Sequence, residues 1–61
     1  MENFEKLVEL VHDLRGDYEK FFEKDNNAAG TRIRKGLQEI IAACKAERAR
    51  VTETRNSRKA V

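Results

Sequence analysis

Apolar residues recur every three to four positions through the first 24 residues, a spacing typical of one face of an α-helix. On a helical wheel they fall within an arc of about 160°. This pattern predicts a helix from about residue 3 to residue 24, with Asn3 as its N-cap. Gly16 lies on the polar side, where we expect a bend or a close contact. The residues of the arc are Phe4, Leu7, Val8, Leu10, Val11, Leu14, Tyr18, Phe21 and Phe22.

The apolar pattern stops at residues 25–27, where an aspartate and two asparagines favour a turn and a helix start. It resumes on a narrower stripe of about 100°, which predicts a second helix from about residue 28 to residue 51 or beyond. Residues 1–51 are therefore expected to form a helical hairpin, and residues 52–61 a helical extension or a flexible basic tail. The stripe of the second helix is formed by Ile33, Leu37, Ile40, Ile41, Cys44 and Val51.

Two helices whose apolar arcs differ in width cover each other only in part, and a chain of 61 residues forms only a small core. The predicted fold is an all-α antiparallel two-helix hairpin, assembling into a dimeric four-helix bundle or a higher homo-oligomer such as a tetramer. Gly30 and Gly36 permit close approach of the helices. The residues expected in the core or the oligomer interface are Phe4, Leu7, Val8, Val11, Leu14, Tyr18, Phe21, Phe22, Ile33, Leu37, Ile40, Ile41, Cys44 and Val51.

Charge divides the sequence into an acidic half and a basic half. Residues 1–25 carry eight acidic and four basic side chains, whereas residues 26–61 carry three acidic and nine basic ones, so the net charge of +2 conceals a polarised distribution. Cations follow one edge of the second helix and form a track that fits a phosphate backbone. The track comprises Arg34, Gln38, Lys45, Arg48, Thr52, Arg55 and Lys59, while Arg32, Lys35 and Arg50 lie behind it.

The start of the second helix is a second expected anion site. Unpaired backbone N–H groups and the positive end of the helix dipole favour an anion near Asn27, Gly30 and Thr31. The first three cations of the helix surround this point, and such contacts neutralise phosphates without reading bases. The alternative interpretation is that the cations pair with the acidic half, for example with Glu19, Glu23 or Asp25.

The sequence offers no set of residues from which an enzyme or a metal site is predicted. One cysteine cannot form an internal disulfide, and one histidine with one cysteine lacks the spacing of a zinc site. We expect His12 on the surface and Cys44 as a small, reduced core residue, with no cofactor and no small-molecule substrate. No apolar run reaches membrane-spanning length, and the acidic N-terminus does not fit a secretory signal, so a cytoplasmic protein without a membrane partner is expected.

Two stretches, residues 16–22 (GDYEKFF) and 27–38 (NAAGTRIRKGLQ), resemble the bacterial histone H1-like proteins found in chlamydiae and Bacteroidetes. The resemblance covers about residues 3–55 and implies a small helical, nucleoid-associated protein that binds double-stranded DNA with little sequence preference and organises it. Arg32, Arg34 and Lys35 match the family's basic cluster, and residues 27–30 match its turn and helix start. The later cations match only in character: Lys45, Arg48, Arg50, Arg55, Arg58 and Lys59.

The chlamydial proteins continue into a long lysine- and alanine-rich tail, which this sequence does not contain. A short member of this kind is expected to bind DNA modestly, to bridge two duplexes through its oligomer, or to act mainly in protein interaction. The leading hypothesis is sequence-independent DNA binding through phosphate contacts. The alternatives are a structural or adaptor coiled-coil module, whose charges orient partner helices, and an RNA-binding protein that uses the same cations.

Overall fold

The computed structural model of the protein describes residues 2–59, which form three α-helices. These are α1 (Glu2–Asp13), α2 (Arg15–Lys24) and α3 (Asn27–Lys59). No β-strand occurs within residues 2–59, and the predicted all-α class is confirmed. The last two positions of the predicted C-terminal extension, residues 60 and 61, lie outside the described residues, as does the side chain of Lys59.

Helices α1 and α2 form one bent helix that is interrupted at Leu14. The Leu14 N–H donates to the Val11 carbonyl at 3.2 Å, and the Tyr18 N–H donates to the Leu14 carbonyl at 2.9 Å, so helical hydrogen bonding continues through the bend. The sequence pattern placed a bend or a close contact at Gly16, but a Cβ atom there would meet no atom within 4 Å. The interruption falls instead at Leu14, whose buried side chain is anchored against α3.

The turn between α2 and α3 consists of Asp25 and Asn26. Asp25 has left-handed backbone angles (φ 54°, ψ 32°), which aspartate tolerates better than most residues. The Asn26 N–H donates to the Lys20 carbonyl at 3.0 Å, and Asn26 Oδ1 accepts from the Ala29 N–H at 3.3 Å. Asn26 is therefore the N-cap, and α3 begins at Asn27, a position that the sequence pattern assigns to the turn.

Contacts between α3 and the bent helix occur in opposite order along the two segments. Moving away from the turn, Gly30 lies under the Phe21 ring, Arg32 Nε lies 2.9 Å from Asp17 Oδ1, and Gly36 contacts Leu14. A Cβ atom at Gly30 would lie 2.6 Å from the Phe21 ring, and one at Gly36 would overlap Leu14 Cδ2. Glycine at these two positions therefore lets α3 approach the bent helix closely.

The core of the described chain is small. Leu14, Ala29 and Ile33 are the buried apolar residues, and the sequence pattern assigned Ala29 only to the helix start. Leu7, Phe21, Ile40 and Cys44 are half-buried. Eight large apolar side chains of the predicted set are exposed, and they are Phe4, Val8, Val11, Tyr18, Phe22, Leu37, Ile41 and Val51. Packing within one chain therefore leaves most of the predicted apolar surface uncovered.

Helix α3 is longer than the segment that packs on it. Its 33 residues span about 50 Å at 1.5 Å per residue, and the molecule measures 55 × 17 × 12 Å. In each of the three contacts described above, the two residue numbers add up to between 49 and 51. By the same relation, Glu2 at the start of α1 lies at the same level along the helices as about residue 48 of α3. Residues 49–59, hereafter the α3 extension, project beyond α1, and residues 49–58 are exposed. Of the two alternatives expected for residues 52–61, a helical extension or a flexible tail, the structure shows helix as far as Lys59.

Candidate nucleic-acid interface

Helix α3 carries all nine cations that the sequence nominated for nucleic-acid binding. Eight of these side chains are described, and each of the eight is exposed: Arg32, Arg34, Lys35, Lys45, Arg48, Arg50, Arg55 and Arg58. Helical periodicity places Arg34, Lys45, Arg48 and Arg55 along one side, hereafter the basic edge. Because α3 is continuous from Asn27 to Lys59, the basic edge extends over about 30 Å.

Two of the eight cations are engaged by carboxylates of the same chain. Arg32 Nε donates to Asp17 Oδ1 at 2.9 Å, which joins α3 to α2. Arg50 donates from one nitrogen to both carboxylate oxygens of Glu47, at 3.1 Å each. The alternative interpretation from the sequence, pairing with the acidic half, therefore holds for Arg32, although its partner is Asp17. Glu19, named as a possible partner, lies instead 3.6 Å from Arg15.

The other six cations form no ion pair among the side chains that the structure describes, and they are Arg34, Lys35, Lys45, Arg48, Arg55 and Arg58. Their charge is therefore available to an external anion. Sequence spacing alone did not separate this group from Arg32 and Arg50. The close Glu47–Arg50 spacing was a usable signal for one pair, whereas the Asp17–Arg32 pair required the level of the two helices to be known.

The start of α3 retains part of the predicted anion site. Asn27 and Thr31 are exposed, and the first turn of α3 contains no acidic residue. The Asn26 side chain already accepts from the Ala29 N–H, which occupies one donor of the helix end. Gly30 is half-buried beneath the Phe21 ring, so its position serves helix packing.

A shallow groove brings exposed aromatic rings beside Arg34. It is lined by Tyr18 and Phe22 on α2, and by Gly30, Arg34 and Leu37 on α3, among others. The Tyr18 and Phe22 rings stack with their centroids 5.8 Å apart. Sequence analysis did not predict this arrangement, because the rings and the arginine belong to different helices and only the two-residue turn brings them level.

A second concave surface lies on the α3 extension. Arg50, Val51, Thr54, Arg55 and Arg58 line it, together with the Glu47 carboxylate. Three guanidinium groups thus surround an exposed valine at the part of α3 that packs on no other element of residues 2–59. Arginine recognises phosphate oxygens through several fixed donors, so this cluster is chemically suited to a phosphate-rich partner.

The two remaining polar candidates lie on different helices. His12 is exposed on α1, and Cys44 is a half-buried free thiol on α3. Within residues 2–59, no three histidine, cysteine, aspartate or glutamate side chains are grouped so that they could hold a metal ion. Over the same range, no helix combines the length and apolar character needed to cross a membrane.

Comparison with known proteins places this arrangement in a family. No curated protein and no solved structure matches the chain significantly. The family model described as Histone H1-like protein Hc1 matches residues 1–57 of the 61 residues, which confirms the resemblance seen in the sequence. The family is one of DNA-binding structural proteins and is not a known enzyme family. The chain therefore belongs to the histone H1-like protein Hc1 family.

Proposed function

We propose that this protein binds duplex DNA without sequence preference and organises it as a nucleoid-associated homo-oligomer. The observation that carries the proposal is the set of six exposed cations on one continuous helix that have no carboxylate partner among the described side chains. Family membership supports DNA as the anionic partner. The contacts are to phosphates, because arginine and lysine along a helix edge neutralise backbone charge without reading base edges.

The proposed contact surface consists of the basic edge, the α3 extension and the start of α3. Arg34, Lys45, Arg48 and Arg55 follow the duplex backbone, and Arg58 and Lys59 extend the surface at its end. Asn27 and Thr31 add backbone donors at the start of the helix, with Lys35 nearby. Arg32 and Arg50 contribute less, since each must first leave its carboxylate partner.

The fold that presents these cations is proposed to be an antiparallel helical hairpin that self-associates. The opposite order of the three contacts along α3 and the bent helix supports the hairpin. The exposed Phe4, Val8, Tyr18 and Phe22 side chains support self-association, because a free chain would leave them in water. A dimer or tetramer would double or quadruple the cations that one assembly presents to DNA.

Fluorescence anisotropy with two unrelated duplexes of equal length, across a series of salt concentrations, tests this function. We expect equal affinity for both duplexes and a linear fall of log affinity with log salt. If one chain uses all six free cations, the slope is about −5, from 0.9 per phosphate neutralised. A strong preference for one duplex, or no binding to either at low salt, would contradict the proposal.

Two other functions make predictions that differ from those of DNA binding. The exposed apolar side chains favour an adaptor that binds another helical protein. A pull-down with such an adaptor would recover a stoichiometric protein partner, and the anisotropy assay would show both duplexes unbound. An RNA-binding protein would use the same cations. Competition of labelled duplex DNA with RNA of equal length separates RNA binding from DNA binding, since a DNA-binding protein should release the duplex only at a large excess of RNA.

A further inference from the structure

One side of the proposed hairpin presents a row of exposed apolar side chains, interrupted at Arg15 on the bent helix. On α1 and α2 the exposed apolar residues fall within an arc of about 80° on the helical wheel. The groove that joins Tyr18 and Phe22 to Leu37 shows that α3 contributes to the same side. This row, hereafter the apolar face, consists of Phe4, Val8, Val11, Tyr18, Phe22, Leu37 and Ile41.

The apolar face has margins of opposite charge. Helical periodicity places Glu5, Glu19 and Glu23 along its outer margin on the bent helix. Arg15 lies within the row itself, 3.6 Å from Glu19. Arg34, Gln38, Lys45 and Arg48 lie along or beside its margin on α3, and no carboxylate shares that margin. Arg34 and Gln38 border the groove that contains Leu37 and Ile41, which locates the basic margin directly beside the apolar side chains.

We infer that a second copy of this chain covers the apolar face, related by a two-fold axis that runs parallel to the helices. Such an axis exchanges the two margins, so the acidic margin of each copy meets the basic margin of the other, and the dimer contains two such contacts. An axis perpendicular to the helices and lying within the interface would instead place acidic against acidic and basic against basic. Charge complementarity therefore selects the parallel axis.

Symmetry also determines which residues meet. An axis parallel to the helices leaves every residue at its own level, so partners across the interface are those that are level within one chain. The intrachain contacts join residue numbers totalling 49 to 51. Glu5 and Lys45 satisfy this relation, and Glu19 and Arg34 miss it by less than one helical turn. Each of these carboxylates therefore faces a cation of the second copy. In the dimer Arg34 and Lys45 must leave these carboxylates before they reach phosphate, as Arg32 and Arg50 must, so Lys35, Arg55 and Arg58 carry more of the proposed DNA contact.

The surface is large enough for a stable dimer. The bent helix is about 35 Å long, and with the molecular width of 17 Å the face covers about 600 Å² per copy. The two copies together bury about 1,200 Å², which is at the lower limit of specific interfaces. An apolar row between complementary charged margins is the usual composition of such an interface.

A consequence of the parallel axis is that both α3 extensions project from the same end of the dimer. With neighbouring helices 8–10 Å apart, the two α3 axes lie about 14 Å from each other across the bundle diagonal. The clusters around Val51 on the two copies then form one doubled cationic site. This inference deepens the proposed self-association and rests on it, and its tests contain no DNA, so they are independent of the DNA-binding result.

Spin-label distances determine the direction of the axis. We would label Thr54→Cys in a Cys44→Ala background, confirm the dimer by sedimentation equilibrium, and measure the distance between labels by pulsed electron resonance. The parallel axis predicts about 15–30 Å between Thr54 labels, whereas the perpendicular axis predicts about 40 Å or more. Lys24→Cys provides a second position at the turn end, where the parallel axis again predicts about 15–30 Å and the perpendicular axis about 35 Å. Long distances at both positions, or a monomer at about 100 µM protein, would overturn the inference.

Charge reversal tests the facing pairs. The Glu5→Lys, Glu19→Lys double variant should raise the dimer dissociation constant about tenfold or more, because four attractive pairs become repulsive. Glu9→Lys with Asp13→Lys changes the charge equally on the opposite side and should leave it within about twofold. Mixing the first variant with an Arg34→Glu, Lys45→Glu chain should restore association, which excludes a folding defect. Equal weakening by both reversals, or no restoration, would overturn the assignment of these pairs.

Discussion

The first part of α3, as far as about residue 48, and the α3 extension differ in almost every physical respect, although they form one uninterrupted helix. The first part contains two glycines in close contact, the buried Ala29 and Ile33, and an arginine tied to Asp17. The extension has no buried residue among positions 49–58 and carries arginines around an exposed Val51. The difference indicates that the first part determines the fold, while the extension presents charge.

The largest expected effect comes from removing a buried side chain of the first part. Ile33→Ala should lower the free energy of unfolding by about 2 kcal/mol, the lower end for a buried isoleucine, because this small core can partly collapse. Val51→Ala, the matched truncation in the extension, should change it by less than about 0.5 kcal/mol. Thermal unfolding followed by circular dichroism measures both. Equal losses would show that the extension packs on something in solution.

The next largest effect concerns DNA binding and compares unpaired with paired arginines of α3. Arg48→Ala with Arg55→Ala removes two unpaired cations of the basic edge and should weaken DNA binding about tenfold or more, while reducing the salt slope by about 2. The matched control, Arg32→Ala with Arg50→Ala, removes the same formal charge from cations held by Asp17 and Glu47. It should weaken binding only about threefold, since these arginines must leave their partners before they reach phosphate.

That comparison is measured by anisotropy in parallel salt series for both double variants. A control variant that loses as much affinity as the basic-edge variant would show that intrachain pairing does not protect Arg32 and Arg50 from phosphate. Unchanged affinity in both variants would remove the basic edge from the mechanism and direct attention to Arg34, Lys35 and the start of α3.

A smaller effect on stability distinguishes Gly36, which packs against another helix, from Gly16, which has open space around it. Gly16→Ala should raise the free energy of unfolding by about 0.5–1 kcal/mol, because a Cβ there meets nothing within 4 Å and alanine favours the helix. Gly36→Ala should lower it by about 1 kcal/mol, because the added methyl overlaps Leu14 and the buried leucine must move. Chemical denaturation of the two variants compares the same substitution at two sites. Stabilisation by both would show that Leu14 yields easily.

Much of the fold was predictable because helical periodicity is local. The spacing of apolar residues and the Asp-Asn-Asn turn indicated two helical segments, and the structure differs mainly at the bend and at the turn. The bend falls at Leu14, which contacts Gly36 on the other helix, and the capping role of Asn26 depends on which of two adjacent asparagines faces Ala29. Neither is expressed in the pattern of a single helix.

The candidate site was predictable only as a composition. Spacing identified the cations of α3 and the side on which most of them lie. It could not distinguish Arg32, held by Asp17, from Arg34, which lies two residues away beside the groove of Tyr18 and Phe22. That distinction depends on the relative level of two helices, which is set by the length and geometry of the turn.

The smallest expected effect concerns the ion pair that links the two properties of α3. Asp17→Asn removes the carboxylate that accepts from Arg32 and should lower the free energy of unfolding by about 0.5 kcal/mol at low salt, because the Arg32 side chain is half exposed. The same change frees Arg32 and should strengthen DNA binding about twofold to threefold. Both shifts should shrink at high salt, where Coulomb interactions between exposed groups are screened. Glu9→Gln, on the exposed surface of α1, is the matched control for the loss of one negative charge. If it strengthens DNA binding as much as Asp17→Asn does, the gain arises from net charge, whereas a gain confined to Asp17→Asn would show that the pair withholds Arg32 from phosphate.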